Sequence, residues 1–191
     1  MRVVEVYVEQ MKQSKSENTV KNHVSTLNKF FGSLQVSEVV EVLPEDIMSF
    51  KKTLLAKGTE ASANTQLKRV KAFFKWCVKN GLLDFSPAED IKLVAEKTPV
   101  PKWLSKEQKG ALLRAIKRDY LGDNVVKKSY REYLMVLLML KAGLRVGELC
   151  DLKWDDVNIT DRKGTIYIRS LKTEVHRTLP LVSDVLKVFK A

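Results

Sequence analysis

Two groups of charged residues in this chain of 191 could do chemistry. Arg145 and Glu148 stand three apart in the string Gly143-Leu144-Arg145-Val146-Gly147-Glu148. Gly143 ends one helix, so Arg145 projects from a tight turn at the start of the next, with Glu148 one turn along. A guanidinium fixed at such a corner can offer its N–H fork bidentately to a phosphate. The two residues taken alone also read as an ordinary surface ion pair at i,i+3, and favour that plainer reading. The second group is Lys68, Lys71, Lys75 and Lys79, spaced by three, four and four, with Arg69 beside them. Residues 62–80 contain no acid. Such a stripe repels itself unless something neutralises it, and a nucleic-acid backbone would. A solvated lysine face is the alternative. Metal chemistry finds no support, because His23, His176, Cys77 and Cys150 lie at no metal-ligand spacing.

The elements that must carry these residues can be read from periodicity. Residues 2–13 form a first helix. Ser16 caps a second, whose face is Val20, Val24, Leu27 and Phe31, and Gly32-Ser33 ends it. Pro44, followed by Glu45 and Asp46, opens a third, with Ile47, Phe50, Leu54 and Leu55 turned inward and Gly58 as its stop. The basic helix starts near Ser62 or Asn64 and runs to Asn80-Gly81, with Leu67, Val70, Phe74, Cys77 and Val78 as its apolar face. Pro99 and Pro101 place a linker at 94–101. Beyond it Ser105 and Ser129 cap two more helices, the second ending at Gly143, and a short helix covers about Val146 to Leu152. The period then changes from helix to strand. Val157-Asn158-Ile159, Thr165 to Arg169 and roughly Val175 to Leu179 alternate, and Ser183 caps a last helix start at Val185, Leu186, Val188 and Phe189. The expected fold is mainly α, a helical bundle over 1–93 and an α+β unit over 102–191 with a small three-stranded antiparallel sheet.

Composition narrows the partner. The net charge is +11, with 14 basic and 11 acidic residues in 1–95 against 20 and 12 in 96–191. That excess points to a polyanion. The longest apolar run, Leu134 to Leu140, is seven residues, far below the roughly 20 of a membrane span. Glu5 and Glu9 stand where a secretory signal would be apolar. Cys77 and Cys150 sit in apolar, helical segments, so both are expected to be buried thiols of a reducing cytoplasm.

The string from Lys141 to Val157 continues as Glu148-Leu149-Cys150-Asp151-Leu152-Lys153-Trp154-Asp155-Asp156. It resembles the first arginine box of the tyrosine recombinases, the phage-integrase family. Ser170-Leu171-Lys172-Thr173-Glu174-Val175 with Arg177-Thr178-Leu179-Pro180-Leu181 resembles the family's lysine hairpin and the strand after it. Asn64-Thr65, Phe73-Phe74-Lys75-Trp76 and Ser86-Pro87-Ala88 resemble its SAM-like core-binding domain. The resemblance implies double-stranded DNA as partner, with self-association on DNA into a tetrameric synapse, in the cytoplasm of a prokaryote or from a phage or mobile element. It implies strand cleavage and rejoining through a 3′-phosphotyrosyl link, with no metal and no nucleotide cofactor. Arg145 would stabilise the phosphate oxygens, Lys172 would protonate the leaving 5′ oxygen, and Glu148 would hold its neighbours in place. Lys163 is the competing lysine, in a plain turn.

The chain departs from that pattern in one region. The family places a His-x-x-Arg box and a nucleophilic tyrosine after the lysine hairpin. Here His176 and Arg177 are adjacent, expected as surface polar residues, and all five tyrosines precede Lys172. The 191 residues therefore read as a core-binding domain and about half of a catalytic domain, with Val185, Leu186 and Phe189 expected to lack cover. The rival reading is a non-catalytic DNA-binding module derived from an integrase.

Overall fold

A computed structural model describes residues 2–34, 36–96, 100–121, 127–169 and 176–189, with the backbone alone for 118–121 and 127–130. The chain divides into two compact units, Met1–Val100 and Pro101–Ala191.

The first unit is a bundle of α1 (Arg2–Lys12), α2 (Glu17–Phe31), α3 (Pro44–Lys57) and α4 (Glu60–Lys79). Local chemistry sets the ends. The Ser16 hydroxyl accepts the Thr19 amide at 3.4 Å, and the Asp46 carboxylate accepts the Leu43 amide at 2.9 Å. The basic helix begins at Glu60, earlier than its apolar face suggests, because the Thr59 hydroxyl caps it by accepting the Ser62 amide at 3.3 Å. Leu27, Phe30, Ile47, Leu67, Val70, Phe73, Phe74 and Cys77 are wholly buried in the centre. Phe30 meets Phe74 and Phe50 edge to face, at 6.0 and 5.1 Å between ring centroids. Burial pushes the Cys77 thiol up to about 11 and the Tyr7 phenol up to about 12.

The extended segment after α4 belongs to this unit as far as Glu96. Ala88 and Ile91 are buried in the bundle core. Lys71 donates to the Glu89 and Ile91 carbonyls at 3.0 and 2.8 Å, and Lys51 to the Lys92 carbonyl at 2.6 Å. Asn64, buried in α4, treats residue 94 as a strand partner. Its Nδ2 donates to the Val94 carbonyl at 2.8 Å and its Oδ1 accepts the Val94 amide at 2.9 Å. Residues 94–96, read from sequence as the start of a linker, are thus fastened to the bundle by side chains whose partners lie about thirty residues away. Trypsin is therefore expected to cut after exposed Lys102 before it cuts after Lys92. Asn64→Ala removes three part-buried hydrogen bonds, two to Val94 and one to the Glu96 carboxylate, about 1 kcal/mol each, and should speed cleavage after Lys92 by tenfold or more. Mass spectrometry of the early fragments checks this.

The second unit contains α5 (Lys106–Leu121), α6 (Lys127–Ala142), α7 (Val146–Cys150) and α8 (Ser183–Phe189), with β1 (Val157–Ile159), β2 (Gly164–Ile168) and β3 (Arg177–Pro180). The strands form one antiparallel sheet in the order β1-β2-β3, with Val157 opposite Ile166 and Ile168 opposite Arg177. α6 starts at Lys127, so Ser129 lies inside it and is not its cap. Leu137 and Leu138 of α6 pack with Leu144, Leu149, Ile166, Ile168, Leu181 and Val185.

Two expectations fail here. The face of α8 does have cover: Val185 is wholly buried, and Leu186, Val188 and Phe189 pack on the same core. α8 folds back over α6, where Lys141 pairs with Asp184 at 3.1 Å, and Phe189 meets the Trp154 ring at 5.8 Å. Gly164 admits this approach, because a Cβ there would lie 2.8 Å from the Leu186 Cδ1. The second correction concerns Cys150, which is exposed, since α7 is one short turn whose inner face is taken by Glu148 and Leu149.

Candidate functional site

The corner between α6 and α7 is built by its backbone. Gly143 takes φ +66°, the left-handed conformation that only glycine adopts without strain, and so reverses the chain after Ala142. Leu144 is then buried, and Arg145 continues extended at φ −74°, ψ 153° as the residue before the first turn of α7. Arg145 and Glu148 do come together. The Glu148 Oε2 accepts the Arg145 backbone N–H at 2.8 Å, and its Oε1 accepts Arg145 Nη1 at 3.0 Å. The arginine side chain is 72% exposed and the glutamate 7%.

A third member went unseen in the sequence. Arg177, at the start of β3, lays its guanidinium against the same carboxylate, Nη1 to Oε1 at 2.8 Å and Nη2 to Oε2 at 2.9 Å. It is a half-buried member of the site, not the surface polar residue expected, whereas its neighbour His176 is exposed. Strand alternation carried the signal: Arg177 shares its face of β3 with Leu179, which packs on the core. Lys172 lies outside the described residues. Lys163 is exposed beside β2, its amide bonded to Thr160.

The Arg177 fork and the Arg145 amide hold the Glu148 carboxyl down to about 2, so it is an anion at every physiological pH. An unfolded glutamate titrates near 4.3. The folded value lies below that, so this carboxylate stabilises the fold above about pH 4.3, and the contribution vanishes as pH falls towards 2. Thermal unfolding of wild type against Glu148→Gln should therefore differ most near neutrality and converge at about pH 2. A gap that persists at pH 2 would mean packing, not charge, is what the glutamate supplies.

The basic stripe divides into three. Lys68, Lys75 and Lys79 are exposed along one line of α4, which also carries exposed Ala61, Thr65 and Ala72. Lys71 points to the 89–91 carbonyls instead. Arg69 turns to α2, donating to the Thr26 hydroxyl at 3.1 Å. There it faces His23, which bonds the Tyr7 hydroxyl at 3.1 Å and is held below the ordinary histidine range by burial and by the Arg69 charge. Among the described residues no cluster of His, Cys, Asp and Glu could hold a metal, and no helix is long and apolar enough to cross a membrane.

Known proteins match both units. The model of the phage integrase family matches residues 102–191, and that of the phage integrase N-terminal SAM-like domain matches residues 4–81. The tyrosine recombinase XerA of Pyrococcus furiosus is 31% identical over 179 residues, covering 93% of this chain and 55% of that protein. The tyrosine recombinase XerC of Thermodesulfovibrio yellowstonii is 25% identical, covering 90% and 54%. The chain thus spans about half the length of these relatives. Among solved structures, a lambda integrase dimer bound to a COC′ core site superposes with a TM-score of 0.76 at 19% identity, over 97% of this chain and 64% of that one. A lambda integrase tetramer on a Holliday junction gives 0.75, also at 19%, over 97% and 52%.

Proposed function

The chain belongs to the phage integrase family of tyrosine recombinases, and from that membership we propose that it grips duplex DNA and prepares one phosphodiester for strand cleavage and rejoining. The observation that carries this reading is the corner at Arg145, an exposed guanidinium that donates to a buried carboxylate, which also accepts the arginine's own backbone N–H. In this reading Arg145 engages the non-bridging oxygens of the scissile phosphate, Glu148 holds it there, and Lys172 delivers the proton to the departing 5′ oxygen. Lys68, Lys75 and Lys79 contact the backbone, Arg69 sits at the edge of that surface, and Lys71 acts by shaping it. The 3′-phosphotyrosyl link requires a tyrosine that follows the lysine hairpin in the family, and these 191 residues hold none there. The partners are double-stranded DNA and further copies of the recombinase assembled on it, within a prokaryotic cytoplasm. A nicked suicide substrate tests the proposal. The 191-residue chain should shift labelled duplex in a native gel and leave no covalent adduct in a denaturing one. Absence of any shift at low salt overturns the DNA reading. An adduct from this chain makes one of its five tyrosines the nucleophile and overturns the division of labour.

A further inference from the structure

A buried carboxylate is a poor neighbour for a phosphate-binding arginine. Glu148 touches Arg145 through both its backbone N–H and its Nη1. Alone, the pair is a zwitterion without net charge, and its carboxylate repels an incoming anion at short range. Arg177 alters that balance. Its fork covers both Glu148 oxygens, at 2.8 and 2.9 Å, so each oxygen now accepts one bond from each arginine. Two guanidinium groups on one carboxylate leave the cluster with one net positive charge, and the exposed member, Arg145, is where that charge meets solvent. Arg177 also comes from a different element. It opens β3 opposite Ile168, so its bond to Glu148 ties the sheet to the arginine corner.

We propose that Arg177 is a positioning residue for phosphate activation: it neutralises and orients Glu148, so that Arg145 faces the phosphodiester with its full charge. The inference rests on the phosphate-binding role given to Arg145 above. A merely structural tie between α7 and β3 would need the bond but not the charge, and the two roles separate in a double variant. Arg177→Met leaves Glu148 to quench Arg145. Arg177→Met with Glu148→Gln removes both partners and returns the net charge to Arg145.

The experiment titrates inorganic phosphate into the 191-residue chain and follows the Arg145 Nε–Hε NMR signal, assigned by its loss in Arg145→Ala. Wild type should show a saturable shift. Arg177→Met should bind roughly tenfold more weakly, the scale of one charge-assisted hydrogen bond, and the double variant should recover most of that loss. Arg177→Lys, which keeps the charge and loses the fork, should stay within about threefold of wild type. If Arg177→Met does not fold, Arg177→Gln, which can still donate to the Glu148 carboxylate but carries no charge, takes its place: it should bind phosphate roughly tenfold more weakly than wild type, and a Gln variant that binds as tightly as Arg177→Lys overturns the inference. An Arg145 signal in wild type that ignores phosphate overturns the phosphate-site reading itself. A wild-type response that Arg177→Met leaves unchanged, or a double variant no better than the single, overturns this inference alone.

Discussion

The triple variant Lys68→Ala, Lys75→Ala and Lys79→Ala is expected to lower the slope of log K against log salt for duplex DNA by about three units. Each lysine that neutralises a phosphate releases roughly one counterion, and these three are exposed along a single line of α4. The small residues on the same line, Ala61 and Thr65 before Lys68 and Ala72 after it, let a sugar–phosphate backbone approach the helix closely. Lys71→Ala should behave differently. Its ammonium already satisfies the Glu89 and Ile91 carbonyls, so its loss should change the slope by less than one unit and instead loosen the 84–96 segment towards proteases. Fluorescence anisotropy across a salt series measures both. Four lysines of equal weight in the slope would mean that Lys71 leaves its carbonyls on the DNA.

Arg145→Ala should be the most damaging single change for chemistry. In a chain extended through a His-x-x-Arg box and a late tyrosine, it should slow covalent adduct formation on a suicide substrate by about 10²–10³, the cost of one preorganised donor to a developing phosphate charge. Duplex affinity should fall far less, because most counterion release comes from elsewhere. Arg145→Lys should not rescue the rate, since an ammonium cannot reproduce a fork anchored at a fixed corner. Single-turnover quench kinetics separate the two effects. A variant whose adduct rate is unchanged would remove Arg145 from the reaction.

How much of this was legible in advance depended on how local the cause was. The four bundle helices, the Ser16 and Ser105 caps, the Gly143 reversal and the three strands follow from side chains acting within a few residues of themselves. Periodicity and capping therefore located them, with errors of one turn at most at α4 and α6. The Arg145–Glu148 pair was legible for the same reason, being a contact three residues long within one turn of helix. The family was legible because that corner is written as an unbroken string.

Whatever depended on distant partners was decided by the fold. Arg177 reads as one more surface cation until β3 pairs with β2 and swings it onto Glu148, a bond across 29 residues. Lys71 belongs to a stripe by spacing, yet packing of residues 88–91 on the bundle brings carbonyls to its ammonium and takes it out. Asn64 looks like a helix-start residue and is instead the buried clasp of the segment at 94. The apolar face of α8 finds its cover in α6, some forty residues earlier in the chain. Spacing along a helix or strand says which residues share a face. Which face is wetted, and which charge is already spent on a neighbour, is set only when distant segments pack and the water between them is expelled.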